Sequence, residues 1–141
     1  QAYMDALHIS ESNIINQTFH NPLGKMNGQD ICIISLKEVS GNGLCCYRQV
    51  NDSDVLVLLE EQDYNEILDE TLQRIRRDFN HISGVFSINC VFRYLLFSQE
   101  HHMEDYLKTM STLGEHAGLI GFGEHYNQQF VNQTMTCVVF E

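Results

Sequence analysis

The chain has 141 residues, the size of one ordinary domain, and is 43% hydrophobic, enough to bury a core without disulfide or metal staples. Its formal net charge of −11 argues against two partner classes, a nucleic-acid backbone and an anionic membrane surface, because both demand a basic face. No apolar run approaches the roughly 20 residues of a membrane span.

The chain begins at Gln1, with no initiator methionine and no signal-peptide pattern, and is read as a piece of something longer. In "AYMDALHI", apolar residues at Ala2, Tyr3, Ala6 and Leu7 suit a short helix. A polar stretch follows and ends in "NPLGKMNG", a loop or turn entry. Three β-like runs come next: "ICIISL", "LCCYRQV" and "VLVLLE", separated by "SGNG" and "NDSD". Turn signals between short β-like runs predict an antiparallel meander. The period then changes. Asp63 and Glu66 form a capping-box pair, and Tyr64, Ile67, Leu68, Thr71, Leu72, Ile75 and Phe79 recur at helical spacing. Arg74, Arg76 and Arg77 lie toward the C-terminal end of that helix, where cations are favoured.

"GVFSINC" reads as a strand; "VFRYLLF" either continues it or turns into a helix, and periodicity leaves both open. A second amphipathic helix carries Met103, Tyr106, Leu107, Met110 and Leu113 and stops at Gly114 or Gly118. "LIGFGEHY" and "QTMTCVVFE" read as a closing hairpin. The predicted order is roughly α-βββ-α-β-α-ββ. That implies an α+β fold: a mainly antiparallel sheet with two or three helices packed on it, including the 64–80 helix through Leu68, Leu72, Ile75 and Phe79.

The five cysteines (Cys32, Cys45, Cys46, Cys90 and Cys137) are odd in number, and four sit inside apolar runs. They read as reduced thiols of a cytoplasmic protein rather than a disulfide framework. On that reading the three sequons, at Asn16, Asn51 and Asn132, are chance matches.

Two segments carry a family resemblance. "GVFSINCVFR" (84–93), followed some thirty residues later by "GFGEHYNQQFVNQT" (121–134), resembles the C-terminal FIST domain. The family pattern is a strand ending in Cys-x-x-Arg, then a Gly-Phe turn leading to Gly-Glu, then a closing strand with Asn-x-Thr. "NPLG", "GNGLCCYRQV" and "VLVLLEEQDY" also look like bacterial members, so the likeness runs from about Phe19 onward. One departure is visible: "GFGE" is shorter than the same turn in many members. The resemblance implies a sensory, ligand-binding module of intracellular signal transduction, residues 1–141 forming a single domain that follows an N-terminal FIST partner domain in the parent chain. It also implies a small polar ligand such as an amino acid.

The candidate site is built from residues whose chemistry is out of place. Arg93 interrupts the apolar run "CVFRYLLF", and a guanidinium there must find an anion or carbonyls. Its planar fork suits a ligand carboxylate; an internal salt bridge, to Glu124 for example, is the alternative. Asn89 shares a face with Arg93 if the strand runs unbroken, with Cys90 on the other face; if a helix begins near Cys90, then Cys90 and Arg93 become neighbours. Gly121 and Gly123 let the chain turn tightly, and Glu124 supplies a carboxylate there, for a ligand ammonium or for Arg93. Asn132 and Thr134 line the same end, or form the outward polar face of the last strand.

No metal or cofactor is expected. "EHHMED" and "GEHY" contain His and carboxylates, but adjacent His101 and His102 diverge by about 100° on a helix, and no CxxC or HExxH spacing occurs. "GLIGFG" precedes a strand-like run, so it is no phosphate loop. The expectation is a non-enzymatic, cytoplasmic module that binds an amino acid or small carboxylate and signals to a linked domain. The alternatives are a protein-interaction or scaffold domain without a ligand, and a hydrolase using Cys90 with a histidine.

Overall fold

A computed structural model describes residues 1–126 and 129–141, with Tyr126 and Gln129 as backbone only. Asn127 and Gln128 of the "GFGEHYNQQF" run lie outside the described residues. The backbone divides into two compact units, Gln1–Glu61 and Gln62–Glu141.

The first unit begins with helix α1 (Ala2–Leu7), a 3₁₀ turn (Glu11–Asn13) and the one-turn helix α2 (Ile14–Gln17). Strands β1 (Leu23–Asn27) and β2 (Asp30–Ile34) pair antiparallel across a turn at Gly28, and β5 (Leu56–Leu58) joins the other edge of β1. Strands β3 (Leu36–Ser40) and β4 (Gly43–Cys46) make a separate hairpin. The expected meander is therefore corrected. "ICIISL" breaks at Ser35 into two strands of different sheets, and β5 pairs with β1 instead of β4. Part of the stretch read as loop is also regular, since β1 runs through it. The core here is Tyr3, Ile14 and Leu36, with Met4, Leu7, Leu23 and Leu44 packed around them.

The second unit opens with α3 (Tyr64–Asp78). The Asp63 side chain accepts hydrogen bonds from the backbone N–H groups of Asn65 and Glu66, as the capping pattern predicts. Leu68 and Leu72 are buried; Ile75 and Phe79, expected in the core, are only half-buried, Ile75 lying in the last turn and Phe79 just past the helix end at Asp78. Strand β6 (Gly84–Cys90) follows. The open question at "VFRYLLF" resolves as helix: β6 stops at Cys90, which caps α4 (Val91–Gln99). Helix α5 (Met103–Ser111) ends before Gly114, at φ +145°, and leads into β7 (Glu115–Gly121).

Strand β7 lies parallel to β6, and β10 (Met135–Phe140) lies antiparallel on the other side of β6. The predicted closing hairpin of "LIGFGEHY" with "QTMTCVVFE" is thus incorrect: the two segments flank β6. The hairpin that does form is the short pair β8 (Glu124–Tyr126) and β9 (Gln129–Val131). A parallel pair needs a long crossover, and α4 and α5 supply it, packing against β6 and β7. The class is α+β with antiparallel pairing dominant, as expected. The described strands form four sheets, however, and not one. All five cysteines are free thiols.

Leu72 is 2% exposed and Ile67, on the same helix, is 44% exposed. Leu72→Ala is expected to cost about 2–5 kcal/mol of unfolding free energy by the lost transfer and cavity terms. Ile67→Ala is expected to cost less than about 1 kcal/mol. Urea unfolding of both variants checks the assignment; equal costs would contradict it.

Candidate functional site

The site grows from the end of β6. The β6–β7 register sets Cys90 opposite Gly121, and the Cys90 amide donates to the Thr134 carbonyl at 3.0 Å. The turn after β7 then brings Glu124 back toward this end. Gly123 makes that return possible, with φ +138°, and a Cβ there would meet the Phe130 ring at 2.1 Å. No side chain could occupy that position without displacing a ring. Gly121 leaves room beside the carboxylate, because its missing Cβ would stand 3.4 Å from Glu124 Oε1.

Glu124 is only 3% exposed. The Thr134 hydroxyl donates to Oε2 at 2.9 Å. Among the described residues no donor reaches Oε1, although that atom is buried. Burial pushes the Glu124 carboxyl above the usual glutamate range; the Thr134 hydrogen bond and the Arg93 charge oppose the shift but do not cancel it.

Arg93 sits in the first turn of α4. Its Nε donates to Asn89 Oδ1 at 3.2 Å, and its guanidinium carbon stands 4.9 Å from the centroid of the Phe97 ring, one helical turn on. Asn89 in turn donates to the Tyr106 hydroxyl at 2.6 Å, and Tyr106 is 1% exposed. The chain Tyr106–Asn89–Arg93 therefore fixes the guanidinium from behind. Among the described residues no carboxylate lies within 4 Å of Arg93, so the salt bridge weighed from sequence does not form. Among the described residues, the one side-chain acceptor for the fork is Asn89, at Nε. Burial draws the Arg93 guanidinium below its ordinary range, with Tyr106, Cys90 and Glu124 opposing.

Cys90 is 1% exposed. Backbone amides of Phe92, Gln133 and Thr134 bond to its sulfur, yet burial outweighs them and, with a further push from Glu124, raises the thiol above its usual range. That is the environment of a packed thiol. Asn132 is buried beside these residues in sequence, and Gln133 takes the left-handed conformation at φ +55°.

The structure thus brings together Cys90, Gly121, Gly123, Glu124 and Thr134, with Asn89 and Arg93 as a braced pair whose charge reaches Glu124. Sequence reasoning missed Phe97 and Tyr106 as parts of this arrangement. The four-residue step from Arg93 to Phe97 was the available signal for the first; the contact with Tyr106 is long-range and left none.

The second unit thus sets a strand-to-helix switch, a glycine turn and a buried carboxylate within the field of one arginine. The match to known families gives it a place: the FIST C domain family model covers residues 1–127, and the chain belongs to that family. The family is a sensory domain family associated with signal transduction. The match reaches further toward the start than the quoted motifs and stops short of Asn132 and Thr134. No curated protein and no solved structure shows a significant match to the chain. Among the described residues no helix is long and apolar enough to cross a membrane.

The raised Glu124 carboxyl has a calculable sign. A carboxyl that holds its proton more tightly when folded favours the fold while protonated. Stability is therefore lost as pH rises from the ordinary glutamate value of 4.5 through the raised folded value. Glu124→Gln keeps an acceptor for Thr134 and removes this loss. Its melting temperature relative to wild type is expected to climb across that window and to level off above it. A constant difference at all pH values would contradict the assignment.

Proposed function

We propose that the domain is a non-enzymatic sensor that holds a small zwitterion, of amino-acid type, between Glu124 and Arg93, and passes its occupancy to a linked signalling domain in the cytoplasm. One observation carries the reading: a buried carboxylate, one oxygen of which has no donor among the described residues, lies in the field of an arginine whose fork is braced from one side by Asn89 and, among the described residues, has no carboxylate on the other. An ammonium supplies the donor that Oε1 lacks, and a carboxylate supplies the acceptor that the fork lacks. Burying such groups unpaired costs free energy that a matched ligand returns. Signalling then requires the ligand to prefer one of two conformations of the parent protein.

A protein-contact role is the second reading, favoured by a different observation. Leu119, Val138 and Phe140 share one face of the β10-β6-β7 sheet by register and are 48%, 57% and 53% exposed. Such an apolar face is a common mark of an interaction surface.

A thermal-shift screen with amino acids and small carboxylates separates the two. Ligand at 100 times Kd stabilises the folded state by about 2.7 kcal/mol. Calorimetry with the compound found is expected to show affinity weakened about tenfold to a hundredfold in Arg93→Ala and in Glu124→Gln, the loss of one charge-assisted contact each. Unchanged affinity in both folded variants would place the ligand elsewhere.

A further inference from the structure

The first unit contains a concavity that the charged site does not use. It has a volume of about 450 Å³ and lies against α1, the β3–β4 hairpin and β5. Its walls include Tyr3, Ala6, Leu44, Cys46, Leu56 and Leu58. None of its lining side chains carries a formal charge, although the chain as a whole has a net charge of −11. The volume falls inside the roughly 300–1,000 Å³ range of small-molecule sites, and the lining matches their chemistry, apolar walls with a few polar groups.

We infer that this concavity is a second binding site, for a small uncharged molecule that is mostly apolar and has one polar end. Its walls decide the class. A charged ligand would have to give up its hydration with no counter-charge from any lining side chain to replace it. One of the polar groups at hand is already neutral and committed: the Tyr3 hydroxyl donates to the Asn21 carbonyl at 2.7 Å, and burial pushes Tyr3 up to about 12. Burial also holds the Cys46 thiol protonated. Asn42 offers a neutral amide for the polar end, and so does Gln1 through its side-chain oxygen, its Nε2 donating to Asp5 at 2.7 Å. Leu56 and Leu58, at 39% and 40% exposure, are strand residues whose apolar surface a ligand would cover.

The inference goes beyond the zwitterion site and stands or falls separately. The test is a fluorescence titration of the whole chain with N-phenyl-1-naphthylamine, an uncharged apolar probe that brightens out of water. Saturable binding of one probe per chain is expected. Ala6→Arg places a cation in the wall from an exposed helical position that tolerates it, and is expected to weaken probe binding by roughly tenfold or more. Leu56→Gln is expected to weaken it less, and Ala6→Leu to leave it intact. Arg93→Ala is expected to have no effect. Absence of saturable binding, or binding that Ala6→Arg and Leu56→Gln both leave unchanged, would overturn the inference. So would a probe displaced by a helical peptide at a stoichiometry of one, since the concavity would then be a protein groove.

Discussion

The arrangement depends on one constraint: a carboxylate is buried where, among the described residues, only one of its two oxygens is paired. Glu124 reaches that position because Gly123 turns the chain through a conformation that no other residue adopts cheaply, with the Phe130 ring closing over the vacant Cβ direction. Burying an ionised carboxylate without partners costs several kcal/mol. The fold offsets part of that through the Thr134 hydroxyl, the Arg93 charge and a raised proton affinity. On the proposed function, a ligand donor at Oε1 would offset the rest. A turn that needed only to reverse direction would use the glycines and leave the glutamate in water.

The second unit is organised so that the opposing charge is held at a fixed place. The parallel pairing of β6 with β7 requires a crossover, and the crossover begins at Cys90. Ending the strand there converts the next residues to a helix and puts Arg93 in its first turn. Asn89, the next-to-last strand residue, then lies within reach of Arg93, and Phe97 lies one turn on. The same register places Cys90 opposite Gly121, only three residues before Glu124. Strand end, helix start and glycine turn are therefore a single consequence of one strand pairing.

Much of this was legible in local pattern. Helix α3 announced itself through Asp63 and a 3.6-residue apolar repeat, because caps and helical periods act within a few residues. Arg93 and Glu124 stood out as charges in the wrong company. The sheets were less legible, since strand pairing is decided by long-range packing that turn signals do not encode. "LIGFG" and "TMTCVVF" are each good strands, and nothing in either says that β6 lies between them. "ICIISL" looks continuous, yet Ser35 ends one sheet and begins another. The Tyr106–Asn89 hydrogen bond joins a helix to a strand 17 residues away and has no sequence signature.

The central claim is that Glu124 is a buried carboxylate awaiting a donor. The direct measurement is a ¹³C NMR titration of its side-chain carboxyl, with and without the compound that the stability screen selects. The account requires the Glu124 signal in the free protein to titrate above the ordinary glutamate range, and to fall when a ligand ammonium binds, because a cation favours the ionised form. A Glu124 that titrates like a solvated glutamate, or that a saturating ligand leaves unmoved, would contradict it.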